Sequence, residues 1–175
     1  HNSKDLLGAG GASLISWLKS VKSKGLVSKV GVSIYSKSEL NSIDLDAIDI
    51  VQLPVSIYNQ SLILDGTIKL LKDYDIEIHA RSIFMQGLII RTPEFWPEFI
   101  SSEFKNHHGN IVRKANEAGI SMLDLSIQFI NQIECIDVAI VGVDNLPQLS
   151  SILTSQRKFV DISEFRQSLA WTLSN

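Results

Sequence analysis

Residues 48–54 read "IDIVQLP". The run is short, apolar, rich in β-branched residues and closed by proline, so it is predicted to be a strand. One residue does not belong to that pattern. Gln52 stands between Val51 and Leu53. Burying an amide without partners costs about 1–3 kcal/mol on mutational scales. Gln52 therefore calls for a partner, either elsewhere in the protein or on a ligand, and this stretch alone leaves both open.

Three further runs share the apolar character: "SKVGVS" (28–33), "DIEIHA" (75–80) and "IDVAIVGV" (136–143). Continuous apolarity of this kind predicts strands buried on both faces, in a parallel sheet covered by helices. The segments between them have helical patterns. In 12–24, Leu14, Ile15, Trp17, Leu18 and Val21 keep a helical spacing, and Gly25 follows as a C-terminal cap. Segment 36–43 opens on a Ser36…Glu39 capping box. Segment 65–73 is short and amphipathic. Segment 98–134 is predicted to hold two helices, with a break at Gly119 and Ser121 capping the second. Pro147 opens a helix over 146–156, and one more is expected over 162–172. Alternation of helix and strand means an α/β fold with right-handed crossovers. Periodicity does not choose between a doubly wound sheet and a barrel. No linker or repeat interrupts the pattern, so 1–175 reads as a single segment. Residues 81–105 form the longest irregular stretch, and such loops in compact domains are usually functional or mobile.

Composition removes several classes. A net charge of −3 without a basic tract gives no general attraction to nucleic acid or to an anionic membrane. No apolar run approaches the roughly 18 residues of a membrane span. The opening residues show no signal-peptide pattern, and the expectation is a cytoplasmic protein. Cys135 is the only cysteine, which leaves no internal disulfide and no cysteine cluster for a metal. Cys135 itself is expected as a small buried apolar residue. "GAGGAS" (8–13) lacks both the third glycine and the preceding strand of a dinucleotide fingerprint, and reads as a flexible loop leading into a helix. His107 and His108 are adjacent, point in different directions on a helix, and read as a solvated helix start rather than a metal pair.

The ends of the predicted strands carry the chemistry. Ser33 closes the first, Gln52 lies in the second, Arg81 and Ser82 follow the third, and Asp144 and Asn145 follow the fourth. Ligands of parallel α/β folds bind at the carboxyl ends of the strands, where the βα loops meet. A ligand site and a self-satisfied polar network both fit this pattern.

Four segments, in order, resemble the aldo-keto reductase family: "KSKGLVSKVGVSIYS" (22–36), "IDIVQLPVSIYNQ" (48–60), "IHARSIFMQGLI" (78–89) and "LDLSIQFINQIECIDVAIVGVDNLPQL" (123–149). The resemblance implies the C-terminal half of a TIM-type (β/α)8 barrel, with four parallel strands and their helices. It implies binding of NADP(H) or NAD(H) and an oxidoreductase acting on a small-molecule carbonyl or alcohol. Carried over by position, His1 falls where the family's histidine orients the substrate carbonyl. Ser33 and Gln52 fall where the nicotinamide carboxamide is held. Arg81 stands in the place of an aromatic residue that stacks on the nicotinamide, and a guanidinium plane could stack there or meet a phosphate. Ser82, Gln86 and Gly87 would line the pyrophosphate, and Gly142, Asp144, Asn145 and Gln148 the adenosine end. Ile34 and Ser56 stand where the family commonly has asparagines. Asp144 would repel a 2′-phosphate, which keeps the choice between NADP and NAD open. The family's tyrosine acid, with its lysine and aspartate, belongs to a first half of the barrel expected to precede His1. Tyr35, Tyr58 and Tyr74 are not at its position. The expectation is thus a cofactor-binding half, inactive alone, that pairs with the first half or with a second copy. The alternative is an inactive dinucleotide-binding regulatory module.

Overall fold

Glycine sets the first strand against the second. Gly31 pairs with Ile50, and a Cβ on Gly31 would stand 2.1 Å from the Ile50 carbonyl oxygen, so any side chain there pushes the strands apart. In a computed structural model, which describes residues 3–6, 10–156, 159, 161–163 and 165, the chain divides into two compact units. The first comprises His1–Pro54, Ser61–Arg81 and Cys135–Ala139; the second comprises Val55–Gln60, Ser82–Glu134 and Ile140–Asn175.

The first unit is a parallel sheet with helices. Strands β1 (Gly31–Ser33), β2 (Ile50–Pro54), β3 (Glu77–Arg81) and β4 (Val138–Ala139) lie side by side in chain order. Consecutive parallel strands in sequential order are the arrangement of a β/α barrel wall. Helices α1 (Gly11–Ser23), α2 (Ser61–Leu64) and α3 (Thr67–Asp73) belong to the same unit. Strands β2 and β3 alternate, contrary to the expected burial on both faces. Val32, Val51, Leu53, Ile78 and Ala80 are buried, whereas Gln52, Glu77, His79 and Arg81 are only half-buried. Side chains of a strand point to opposite faces in turn, so "IVQLP" and "EIHAR" give one apolar and one polar face. Helix α3 packs on β3 and buries Ile68 and Leu71. Full burial of such side chains contributes about 1.5–3 kcal/mol each. Helix α1 is more loosely held: Leu14, Ile15, Leu18 and Val21 are half-buried and Trp17 is exposed. Gly25, at φ +69°, closes α1 as expected.

The fourth strand is much shorter than 136–143. Its ladder consists of His79↔Val138 and Ala80↔Ala139. Strand β3 ends at Arg81, and Ser82 turns left-handed at φ +60°, so residues 141–143 find no ladder to join. Segment 36–43 forms a 3-10 helix (Lys37–Ser42). The expected box is in place, with Glu39 Oε1 accepting from the Ser36 N–H at 2.9 Å.

The second unit is helical, with α4 (Ser102–Glu117), α5 (Met122–Asn131) and α6 (Leu146–Gln156). Gly119 breaks α4 from α5, and Ser121 caps α5 by accepting from the Asp124 N–H at 3.0 Å. Asp124 is buried and ties α5 to α6, accepting from Ser155 Oγ at 2.6 Å and from Ser121 Oγ at 2.8 Å. The helix expected over 162–172 falls mostly outside the described residues. Among the described residues, no helix is long and apolar enough to cross a membrane.

Candidate functional site

Ser33, Gln52 and His79 are register partners on three neighbouring strands, so they form one row on the polar face of the sheet. Arg81, two residues beyond His79 on β3, lies on the same face at the carboxyl end. Arg81 donates from Nε to Ser33 Oγ at 3.2 Å and from an Nη to the Ile34 carbonyl at 3.3 Å. Its guanidinium lies over the Tyr35 ring, 4.2 Å from the centroid. Two of the residues predicted to bind a ligand are thus joined to each other. Gln52 is not part of that network: its amide has no hydrogen-bond partner among the described residues. The amide is half-buried, which spares it part of the desolvation cost and keeps it open to a ligand.

His79, read from sequence only as a strand residue, proves to be held: its Nε2 is 2.7 Å from Glu77 Oε1, and Glu77 also meets Lys29. The signal was available in "EIHAR", whose residues 77, 79 and 81 share a face by the two-residue period. Tyr35 as the support of Arg81 had no signal in the sequence.

The two departures from the family pattern have local reasons. Ile34 is fully buried, and its N–H extends the ladder to the Gln52 carbonyl at 2.9 Å. Ser56 is buried too, its Oγ accepting from the N–H groups of Tyr58 at 3.3 Å and Asn59 at 3.0 Å.

The remaining candidates lie in the second unit. Ser82, Met85, Gln86 and Gly87 all have positive φ, at 60°, 47°, 57° and 85°. Left-handed non-glycine residues cost about 1 kcal/mol or more each, and such strain clusters at ligand-binding turns. Asn145 and Gln148 form a cap at the start of α6: Asn145 Oδ1 accepts from the Gln148 N–H at 3.0 Å, and Gln148 Oε1 from the Asp144 N–H at 2.8 Å. Each amide keeps its NH₂ group for other partners. Gly142 is exposed, and a Cβ there would touch nothing within 4 Å. His1 lies outside the described residues.

The histidine pair corrects the sequence reading. His107 and His108 lie within α4 rather than at a solvated start. His108 is buried beside Trp96, with ring centroids 4.7 Å apart, and its Nδ1 is 2.9 Å from the Tyr58 hydroxyl. Burial, and then the neighbouring His107, push His108 down to about 4. Burial alone pushes the Tyr58 phenol up. A buried phenol with a raised pKa is a poor proton donor near neutral pH. Cys135 is half-buried rather than buried. Among the described residues no group of His, Cys, Asp and Glu is placed to hold a metal.

The sequence matches the Aldo/keto reductase family over residues 12–168. The chain belongs to the aldo/keto reductase family. Among curated proteins, none matches it as a relative. Among solved structures, an aldo-keto reductase from Bacillus halodurans superposes with a TM-score of 0.68 at 16% identity, over 89% of this chain and 54% of that one. The glycerol dehydrogenase from Gluconobacter oxydans gives 0.67 at 13% identity, over 87% of this chain and 50% of that one. The chain therefore spans about half the length of the solved structures it matches. At these identities the likeness shows the fold, and it agrees with the expected α/β class of four parallel strands with helices.

Proposed function

We propose that this aldo/keto reductase chain holds the nicotinamide end of NADP(H) or NAD(H) on Ser33 and Gln52, in an enzyme that reduces a small carbonyl compound or oxidises an alcohol. The observation that carries the reading is Gln52, an amide without a partner among the described residues, in register with a serine at the carboxyl end of a parallel sheet. The residues fit a carboxamide. Gln52 can accept from its NH₂ and donate to its oxygen, and Ser33, whose Oγ accepts from Arg81, keeps its own O–H to donate. When bound, the dinucleotide would supply the hydride in carbonyl reduction and accept it in alcohol oxidation. The protein's part is to hold and orient it and to bring a proton donor to the substrate oxygen.

By the same reading, Ser82, Gln86 and Gly87 contact the pyrophosphate, and Gly142, Asp144, Asn145 and Gln148 the adenosine end. His1 orients the substrate carbonyl. The Asp144 carboxylate weighs against a 2′-phosphate. Tyr58 is buried, its phenol pKa is pushed up by burial and it is tied to His108, so the proton is assigned to a group other than Tyr58.

Calorimetric titration of the intact protein with NADPH and NADH tests the proposal. At least one of them should bind. Gln52→Leu should weaken that binding about tenfold or more, as expected for losing one or two hydrogen bonds. A protein that binds neither dinucleotide, or a Gln52→Leu variant with unchanged affinity, would refute this assignment. Binding without turnover of any carbonyl would leave a dinucleotide-binding module in place of an enzyme.

A further inference from the structure

Arg81 is immobilised without being neutralised. At the opposite end of the sheet, Lys22, Lys29 and Lys72 each meet a carboxylate, of Asp49, Glu77 and Asp137. Arg81 meets none among the described residues. Its three contacts are a hydroxyl, a backbone carbonyl and the face of a phenol ring. These fix the guanidinium and leave its full positive charge, which arginine does not give up in the working pH range. The charge is also placed where it matters. Arg81 Nε is 3.2 Å from Ser33 Oγ, so a group bound to the Ser33 hydroxyl is one further hydrogen bond from a fixed cation.

We infer that Arg81 makes the site discriminate between the charge states of its ligand, favouring the reduced, neutral nicotinamide ring over the oxidised, cationic one. The inference rests on the carboxamide assignment of Ser33 and Gln52 proposed above, and not on the ring stacking against Arg81. Two unit positive charges about 6 Å apart at an effective dielectric of about 40 differ from a charge beside a neutral ring by roughly tenfold in affinity. A neutral aromatic side chain in this place would give no such bias. In the direction of carbonyl reduction, Arg81 would tolerate the neutral hydride donor and help expel the spent, cationic cofactor.

The two redox forms of one dinucleotide carry the same phosphates, and this separates the inference from a phosphate contact. Dissociation constants for NADPH and NADP⁺, and for NADH and NAD⁺, are to be measured by calorimetry on the intact protein, on Arg81→Gln and on Arg81→Lys. The wild type should bind the reduced form about tenfold tighter or more. Arg81→Gln should bring the ratio of the two constants toward one, mainly by improving binding of the oxidised form, and Arg81→Lys should keep most of the ratio. If Arg81→Gln weakens both forms equally, Arg81 serves a phosphate and the inference is wrong. A ratio that Arg81→Gln leaves unchanged also overturns it. Should that variant fail to fold, the wild-type ratio between about 0.02 and 0.5 M salt decides, because a charge effect shrinks with screening and a steric one does not. Failure of the wild type to bind either form removes the carboxamide assignment and this inference together. Binding without redox preference removes only this inference.

Discussion

At the N-terminal ends of the strands, Asp49 accepts from the Val30 N–H at 2.9 Å and meets Lys22, and Asp137 accepts from the Ile78 N–H at 2.7 Å and meets Lys72 at 2.7 Å. Glu77 is shared between Lys29 and His79. Each of these three carboxylates has a cation, and two of them also tie the backbone of the preceding strand. At the C-terminal ends, the Gln52 amide has no partner and Arg81 no counter-charge among the described residues. The same sheet thus closes its hydrogen bonds and charges at one rim and leaves valences open at the other. The closed rim also carries a hollow. The described residues form a cleft of about 380 Å³ at the N-terminal end, lined in part by Lys19, Lys22, Asp46 and Asp49. Its lysines are already engaged, Lys22 by Asp49 and Lys19 by Asp44 at 3.5 Å.

The largest effect expected is on acid stability, and it comes in two steps. His108 sits at about 4 in the folded chain, below its ordinary 6.5. The unfolded chain therefore takes up that proton first, and stability falls as pH drops from about 6.5 to 4, by about 3 kcal/mol for a shift of this size. The rim carboxylates follow. For Asp49 and Asp137, burial raises the pKa but is outweighed by the lysine and backbone hydrogen bonds, so both are held below the ordinary carboxylate value. Glu77 is lowered by its hydrogen bonds to His79 and Lys29. Their contribution is complete above the ordinary carboxylate range and is lost as pH falls through the lowered values. Urea titrations at successive pH values should show both steps, with His108→Gln removing the upper one only. A carboxylate step that began well above pH 4.5 would contradict the closed rim.

A pair of substitutions tests the contrast between the rims directly. Asp49→Ala leaves the buried Val30 N–H without its acceptor and should cost about 2 kcal/mol of stability while leaving dinucleotide affinity unchanged. Gln52→Leu should do the reverse, weakening the dinucleotide with stability held within about 0.5 kcal/mol, since no hydrogen bond within the described residues is lost. Crossed results, with Asp49 governing affinity or Gln52 stability, would abolish the division of roles.

Much of this was legible in the sequence, and the limits have physical causes. The helix over 146–156, the Gly119 break, the Ser121 cap and the Ser36–Glu39 box emerged where local chemistry put them, because caps and turns are fixed within a few residues. Gln52 was legible as an oddity, since an amide in an apolar strand is visible without a structure. The fourth strand was overextended because strand length depends on the neighbour, and β3 stops at Arg81. His108 was misplaced for a similar reason. Its burial depends on Tyr58 and Trp96, distant in sequence, and no periodicity reports them. The Arg81–Ser33 bond spans 48 positions, so two residues singled out separately proved to be one arrangement.

The smallest effect expected is at Lys72. Its ammonium meets Asp137 at 2.7 Å, with the two side chains 32% and 36% exposed. Pairs open to solvent to that degree contribute about 0–1 kcal/mol, because water and salt screen them. Lys72→Met keeps the aliphatic stem and leaves Asp137 its bond to the Ile78 N–H, so the loss should stay below about 1 kcal/mol and shrink further at about 0.5 M salt. Asp137→Ala removes the backbone acceptor as well and should cost about 2 kcal/mol, largely independent of salt. If the two variants lost the same amount, the carboxylates would be acting through their lysines rather than through the backbone. The closed rim would then be a screened network of charges, weakened by salt, and not a set of backbone ties.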